Sequence, residues 1–474
     1  LNFVAPIFLL FLTACAVASR ICQARFRAAF LLAVSYAFYC TRSVGAAAVL
    51  ALLTFAAFRT ALAAERTRAA ASPAARWIGP AAVVFLAAYL AAFKIALLTP
   101  AHGIAGLAMP LGISYYTFRL ISYILDVHWG KLPAETSLLN FAAYVAFFPQ
   151  IVAGPIQRPG DFLAQLPPKP ASAGAGWARI ALGLAKKLFI ADNLGPAINF
   201  VYAHVSTLHG APLWLAFYLY PLQLYADFSG LTDIALGAGR LFGIEGPENF
   251  NRPFTASNIS DFWRRWHMSL TNWLGDYVFV PLRMATRQAG NWGLAASITI
   301  NMVAIGLWHG LSAGYLVFGL LHSAFLVADA LTGRRRSRFF KAHPAWDRPG
   351  RWLGWFLTFH AVALAMVFFR APAVGAAAAL LCGLWSAAPA SSLAAAGFEP
   401  RNLHLLALGI AGYALLEAGE RWRPDLPLAR LRHCGIRWVR WSFYSAAALL
   451  AAFGLALMLV YGTAAPAPFI YAIF

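Results

Sequence analysis

Two histidine-bearing stretches hold the residues best able to do chemistry in this chain. The first, Ile305-Gly306-Leu307-Trp308-His309-Gly310, closes an apolar run that opens near Trp292. A histidine at the end of a membrane span is expensive to bury and is usually kept for a reason. A neutral imidazole there could accept a proton as a general base. The plainer reading is a helix-end histidine hydrogen-bonded to a nearby carbonyl. Gly306 and Gly310 flank it and permit close helix approach, and Trp308 could wall a channel. The second stretch, Asp261-Phe262-Trp263-Arg264-Arg265-Trp266-His267-Met268-Ser269-Leu270, mixes apolar surface, paired arginines and another histidine. Arg264 and Arg265 suit the phosphates of a carrier such as coenzyme A, or equally lipid headgroups. Together the stretches suggest histidine chemistry inside a bilayer.

The composition demands a membrane. Of 474 residues, 61% are hydrophobic and 11% charged, against about 25% charged in soluble proteins. Apolar runs lie near 1–19, 28–58, 77–98, 105–125, 136–153, 176–203, 211–242, 292–310, 311–332, 352–369, 372–388, 403–418 and 443–462. Several approach the roughly 20 residues that span a bilayer. The 28–58 run breaks at Cys40-Thr41-Arg42-Ser43 and predicts two short helices. The chain is read as opening on a membrane helix rather than a cleaved leader: Leu12-Thr13-Ala14-Cys15 is a weak lipoprotein-like box with no basic segment before it. No period-2 alternation supports a β-barrel, and no internal repeat supports an inverted-repeat transporter.

The net charge of +20 is placed as a topology signal. Basic residues crowd the short loops 59–76, 333–351 and 419–442, which puts those loops in the cytoplasm. The 292–310 run then leads outward, with His309 at its outer end, and 243–291 faces the cytoplasm. The 463–474 tail faces outward. No nucleic-acid module accompanies the charge. The five cysteines are scattered without metal spacing, and no metal site is expected. Neither G-x-S-x-G, a P-loop nor H-E-x-x-H is present.

Two stretches do not read as simple spans. Residues 149–170 are rich in Pro and Gly and must pack in protein if they lie at membrane depth. Residues 245–287 alternate Trp263, Trp266, Trp273 and Tyr277 with arginines, which predicts an interfacial helix. The charges in or beside apolar runs are Lys94, Arg119, Asp126, Asp227, Asp233 and Asp276. Asp227 and Asp233 read either as a relay or as structural partners of Arg119 or Arg240. His322, one helix beyond His309, reads as a second partner or as a packed helix histidine.

Taken together, these motifs resemble the membrane-bound O-acyltransferases, in the bacterial branch that O-acetylates alginate. The blocks that carry the likeness are Pro110-Leu111-Gly112-Ile113-Ser114-Tyr115-Tyr116-Thr117-Phe118, Phe147-Phe148-Pro149-Gln150 with Ala153-Gly154-Pro155-Ile156, and Ala226-Asp227-Phe228-Ser229-Gly230. Pro247-Glu248-Asn249-Phe250-Asn251-Arg252-Pro253-Phe254, the two histidine stretches, Phe368-Phe369-Arg370 and Phe469-Ile470-Tyr471 continue it. The chain departs from the family at Arg283-Met284-Ala285-Thr286-Arg287-Gln288, where a Gly-Gly-Asn-Arg turn is usual.

The resemblance implies an all-α, polytopic single domain over 1–474. Roughly ten to twelve tilted and re-entrant helices would ring a central tunnel between a cytosolic donor and an outer acceptor. It implies His309 and His267 as the catalytic pair. Arg264, Arg265, Trp308 and Asn249 become candidate donor contacts, with Asp227, Asp233 and His322 in support. The implied reaction moves acetyl from acetyl-CoA, a co-substrate and not a tightly bound cofactor, across the bacterial inner membrane. The acceptor would be a hydroxyl on an exported polysaccharide, or a periplasmic acetyltransferase-like partner. Two alternatives are D-alanyl transfer from a carrier protein to teichoic acid, and a non-enzymatic transporter or flippase that turns over no thioester.

The charge bias makes the topology testable. With the native cysteines replaced, a cysteine introduced by Arg336→Cys should resist an impermeant thiol reagent outside intact cells and react after permeabilisation. Labelling from outside would overturn the orientation and the cross-membrane argument built on it.

Overall fold

The computed structural model describes residues 5–96 and 110–399 apart from 153, 170–172, 387, 390 and 395, together with Leu403 and Ala407. The expected runs 403–418 and 443–462, the basic loop 419–442, the outward tail and Phe469-Ile470-Tyr471 lie outside the described residues, as do 97–109. Among the described residues the secondary structure is helical throughout.

The first group is α1 (Pro6–Ile21), α2 (Arg27–Cys40), α3 (Val44–Ala69), α4 (Ala75–Ala96), α5 (Ile113–His128) and α6 (Leu138–Ala146). The break at residues 41–43 falls where expected, but α3 is a full 26-residue helix, not a short one; Ser43 caps it by accepting from the Ala46 N–H. The Pro/Gly stretch holds two short helices, α7 (Phe148–Ile151) and α8 (Pro159–Leu163), and packs inside the protein. Next come α9 (Ala173–Ala185), a π-helical turn at Lys186–Ala191, α10 (Asp192–Ala203) and α11 (Ala211–Leu241). Three short helices follow: α12 (Ile259–Trp263), α13 (Met268–Leu274) and α14 (Val280–Ala285). The chain continues through α15 (Gly290–His309), α16 (Ala313–Ala342), α17 (Asp347–Arg370) and α18 (Val374–Gly383).

Among the described residues, five helical stretches, 44–69, 75–96, 287–309, 313–342 and 344–370, are long and apolar enough to cross a membrane. The protein is an all-α, multi-pass membrane protein. The long helix α11 is not among the five. Its buried face carries Gln223, Asp227, Ser229, Thr232 and Asp233, so its polarity is turned toward protein and away from lipid. Helices α9, α10 and α17 pack around it.

The crossing of α9 and α11 is backbone against backbone. A Cβ at Gly183 would sit 2.4 Å from the Gly230 carbonyl oxygen, and one at Gly237 would sit 2.6 Å from that of Gly176. Small residues let helices approach this closely where lipid offers no hydrophobic drive. The approach also brings charges into contact. Lys186 Nζ is 2.7 Å from Asp233, Lys187 Nζ is 2.7 Å from Asp227 and 2.9 Å from Asp192, and Arg179 Nε is 3.1 Å from Asp233. The π turn supplies two consecutive lysines to carboxylates on one helix. Asp227 and Asp233 are thus structural partners of Lys186, Lys187 and Arg179, and not of Arg119 or Arg240. The Arg119 guanidinium donates instead to the Tyr144 carbonyl and to Gln150 Oε1, each at 2.8 Å.

Two expectations are corrected. The 245–287 stretch is not an interfacial helix. Arg252 and His267 adopt left-handed backbone (φ 48° and 44°) that interrupts any continuous helix, and Trp263, Trp266 and Trp273 are buried in the core. Nor is 333–351 mainly a loop: α16 continues to Ala342 through Arg334–Lys341, since arginine and lysine are good helix formers. An ion pair between Arg336 and Asp329 supports that extension.

The Lys187–Asp227 pair is fully buried, and breaking such a pair leaves one charge uncompensated. Lys187→Met should therefore lower stability by about 3–5 kcal/mol, while Lys187→Met with Asp227→Leu should recover part of it, with Asp192 still lacking its Lys187 partner. Thermal unfolding in detergent would check this. Equal losses in the single and double variants would contradict the structural assignment of the pair.

Candidate functional site

His309 is the last residue of α15, and its position is fixed by how α15 meets α16. A Cβ at Gly306 would lie 2.3 Å from the Tyr315 carbonyl oxygen, and one at Gly310 would lie 2.5 Å from the Tyr315 ring. The two glycines flanking the histidine are thus required by close packing. The imidazole is buried at 5% exposure. Its ring centroid lies 4.8 Å from Phe369 and 6.1 Å from Tyr315.

His267 reaches the same place from another direction. It precedes α13 and is 1% exposed. Its ring meets Phe228 of α11 edge-on at 4.6 Å. The Trp308 indole lies 5.9 Å from the His267 ring and 4.6 Å from that of His309. Both histidines line one narrow cavity, whose walls include Trp263, Trp266, Phe318 and Phe369. Two imidazoles converging on one apolar pocket can accept and return a proton there.

The His267 backbone is held by a clamp. Its φ of 44° and ψ of 50° lie in the left-handed region. Asn249, fully buried, secures the chain just after it. Asn249 Oδ1 accepts from Ser269 Oγ at 2.6 Å and from the Ser269 N–H at 3.2 Å, and the Asn249 carbonyl accepts from the Met268 N–H at 2.9 Å. On the other side the Asn251 N–H donates to the Arg265 carbonyl at 2.9 Å. Ser269 Oγ also accepts from the Ile156 N–H at 3.0 Å, which ties the Pro/Gly stretch to the same clamp. Asn249, expected among donor contacts, holds this segment through its bonds to Met268 and Ser269.

The other expected site residues divide. Trp308 is at the site, and its indole N–H is buried with no hydrogen-bond partner among the described residues. His322 stands behind the cavity wall: it is fully buried, and its Nδ1 accepts from Trp263 Nε1 at 3.3 Å. Arg264 and Arg265 are not at the cavity. They pair with Asp261 at 3.4 and 3.0 Å, with Arg264 two-thirds exposed. Asp227 and Asp233 belong to the α9–α11 ion pairs. Lys186 and Lys187 were missed, although they interrupt the 176–203 apolar run. Lys94 was noted only as a membrane charge, yet its Nζ donates to the carbonyl of Trp308. Among the described residues no group of three or more His, Cys, Asp or Glu side chains could hold a metal.

Comparison with known proteins adds an independent line. Residues 131–369 match the model of the membrane-bound O-acyltransferase family. A probable alginate O-acetylase of Pseudomonas fluorescens is 35% identical over 350 residues, covering 73% of this chain and 68% of that protein. Its counterpart in Pseudomonas putida is 31% identical over 421 residues, 84% of each chain. A teichoic acid D-alanyltransferase of Bacillus subtilis is 31% identical over 293 residues, covering 57% of this chain and 71% of that protein.

The clamp makes a prediction about structure alone. Asn249→Ala removes two acceptor contacts and leaves the buried Ser269 groups unsatisfied, so stability should fall by about 1–3 kcal/mol. Asn249→Asp keeps the acceptor and should lose less. A melting temperature unchanged by Asn249→Ala would show that the clamp does not hold this segment.

Proposed function

The chain belongs to the membrane-bound O-acyltransferase family, and from that premise we propose that it moves acetyl from cytosolic acetyl-CoA across the bacterial inner membrane to a hydroxyl of an exported polysaccharide, directly or through a periplasmic acetyltransferase-like partner. The observation that carries this reading is the convergence of His309 and His267, from separate segments, on one cavity. The alginate O-acetylases among its relatives support acetyl as the group and a polysaccharide as the final acceptor. In this reading the helices form a ring of roughly ten to twelve around a tunnel that the cavity narrows at its middle.

The chemistry assigns each residue a task. His309 takes the proton of the acceptor hydroxyl as its oxygen attacks the thioester carbon. The carbonyl electrons move onto oxygen to give a tetrahedral species. Its collapse breaks the carbon–sulfur bond, and the departing thiolate takes the proton back from the imidazolium. His267 orients the thioester or polarises its carbonyl, and the Trp308 N–H offers a further donor beside it. His322 braces Trp263, a wall of the cavity. Arg264 and Arg265 remain the proposed cytosolic contacts for a phosphate-bearing donor. Acetyl-CoA enters this reaction as a co-substrate.

The test is acetyl transfer and thioester cleavage by the purified protein with labelled acetyl-CoA. His309→Ala and His309→Gln should each slow turnover by roughly 10²–10⁴-fold, the worth of a general base, with expression near normal. Full activity in His309→Gln would remove the base assignment. No thioester cleavage by the wild type would contradict the reaction itself.

A further inference from the structure

Helix α16 is longer than a membrane requires. Its 30 residues extend about 45 Å at the usual helical rise, against a hydrocarbon core of about 30 Å. A tilt of about 20° shortens that reach by only a few ångström. Residues 313–332 carry the apolar part, and Arg334, Arg335, Arg336, Arg338 and Lys341 follow. The basic turns therefore begin about 30 Å along the helix, where the hydrocarbon ends. A turn at Pro344–Trp346 then leads into α17. A Cβ at Gly350 would lie 2.4 Å from the Phe340 ring, so the two helices are packed together at this end.

The charges on the hairpin sort by face. Arg336 turns inward to pair with Asp329, and Arg351 pairs with Asp347 at 3.1 Å. Arg334, Arg338 and Lys341 recur at i, i+4 and i+7 and so share a different face. All three are exposed, with no carboxylate in ion-pair distance among the described residues. On the same hairpin Trp346 and Trp352 are 60% and 62% exposed. The plain alternative is that the cations orient the helices during insertion and then simply face water. That accounts for the charge, but not for large indoles left uncovered beside it. Indoles settle at headgroup level, long basic side chains lie along lipid, and their charges meet phosphate.

We propose that this end of the α16–α17 hairpin is a binding surface for anionic phospholipid, with Arg334, Arg338 and Lys341 on the headgroup phosphates and Trp346 and Trp352 at the boundary with the acyl chains. The guanidinium fork matches a phosphate in two-point contact, while the ammonium adds a point charge. The far ends of the same two helices carry Tyr315, Phe318 and Phe369, which pack around His309. Lipid bound at the hairpin thus clamps the pair of helices that walls the histidine cavity.

The experiment titrates the purified wild type, in a non-ionic detergent, with phosphatidylglycerol or with phosphatidylcholine of the same acyl chains, and follows the melting temperature. Phosphatidylglycerol should raise it to a plateau and phosphatidylcholine should not, and the difference should shrink as salt is added. Arg334→Gln, Arg338→Gln and Lys341→Gln combined should raise the half-saturating phosphatidylglycerol concentration by about tenfold or more. Arg334→Lys with Arg338→Lys should keep most of the response. Should the triple variant fail to fold, the single Gln variants and the wild-type comparison of the two lipids decide on the same readout. A wild type that answers both lipids alike, or Gln variants with an unchanged half-saturation, overturns the surface. The KM for acetyl-CoA, measured on the same variants, separates the two sources of phosphate. A raised donor KM with an unchanged lipid response assigns the cations to the donor and overturns the lipid surface too.

Discussion

His267 sits in left-handed backbone, a conformation that costs a non-glycine residue of order 1–3 kcal/mol and persists only when its surroundings hold it. Those surroundings are the hydrogen bonds that pin residues 249 and 251 to residues 265–269. The rest of the site follows from this pinning. It interrupts the helix that the 245–287 composition favours and turns Trp263 and Trp266 inward as cavity walls. It also sets the His267 ring against Phe228 of α11 and against Trp308. Through Ser269 it holds the Pro/Gly stretch as well, so that irregular backbone is satisfied by protein, as membrane depth demands.

A second constraint lies one layer out. The face of α11 behind His267 carries two aspartates, and α9 and the π turn approach closely enough at paired glycines to answer them with Lys186, Lys187 and Arg179. Each charge is paired at short range, so the segment that supports Phe228 is fixed by ion pairs as well as by packing. Charge is handled differently at Lys94 and Arg370. Lys94 donates to the Trp308 carbonyl, and Arg370 donates to Asn199 beside the Tyr202 ring.

Much of this was legible in the residues themselves. Helices at the long apolar runs, the break near Cys40, and the singling out of His309 and His267 follow from hydropathy, charge placement and residue type. What the pattern could not show was where backbone leaves the helical region at residues that are not glycine. Arg252 and His267 give no such signal, so the aromatic–basic stretch read as one amphipathic helix. The partners of Asp227 and Asp233 were misjudged for a similar reason: no periodicity announces a π turn, and that turn is what supplies two consecutive lysines. Asn249 gave no sign in the sequence of its contacts to Ser269 and Thr232, because an amide suits a substrate and a protein partner equally.

The account depends on the two histidines acting as one unit in a single acyl-transfer step. The most direct measurement is a double-mutant cycle on the rate of acetyl transfer, with His309→Ala, His267→Ala and both together. Residues that serve one step are strongly non-additive. The double variant should therefore be about as slow as the slower single one. Losses that multiply across the two sites would show independent roles and contradict the account.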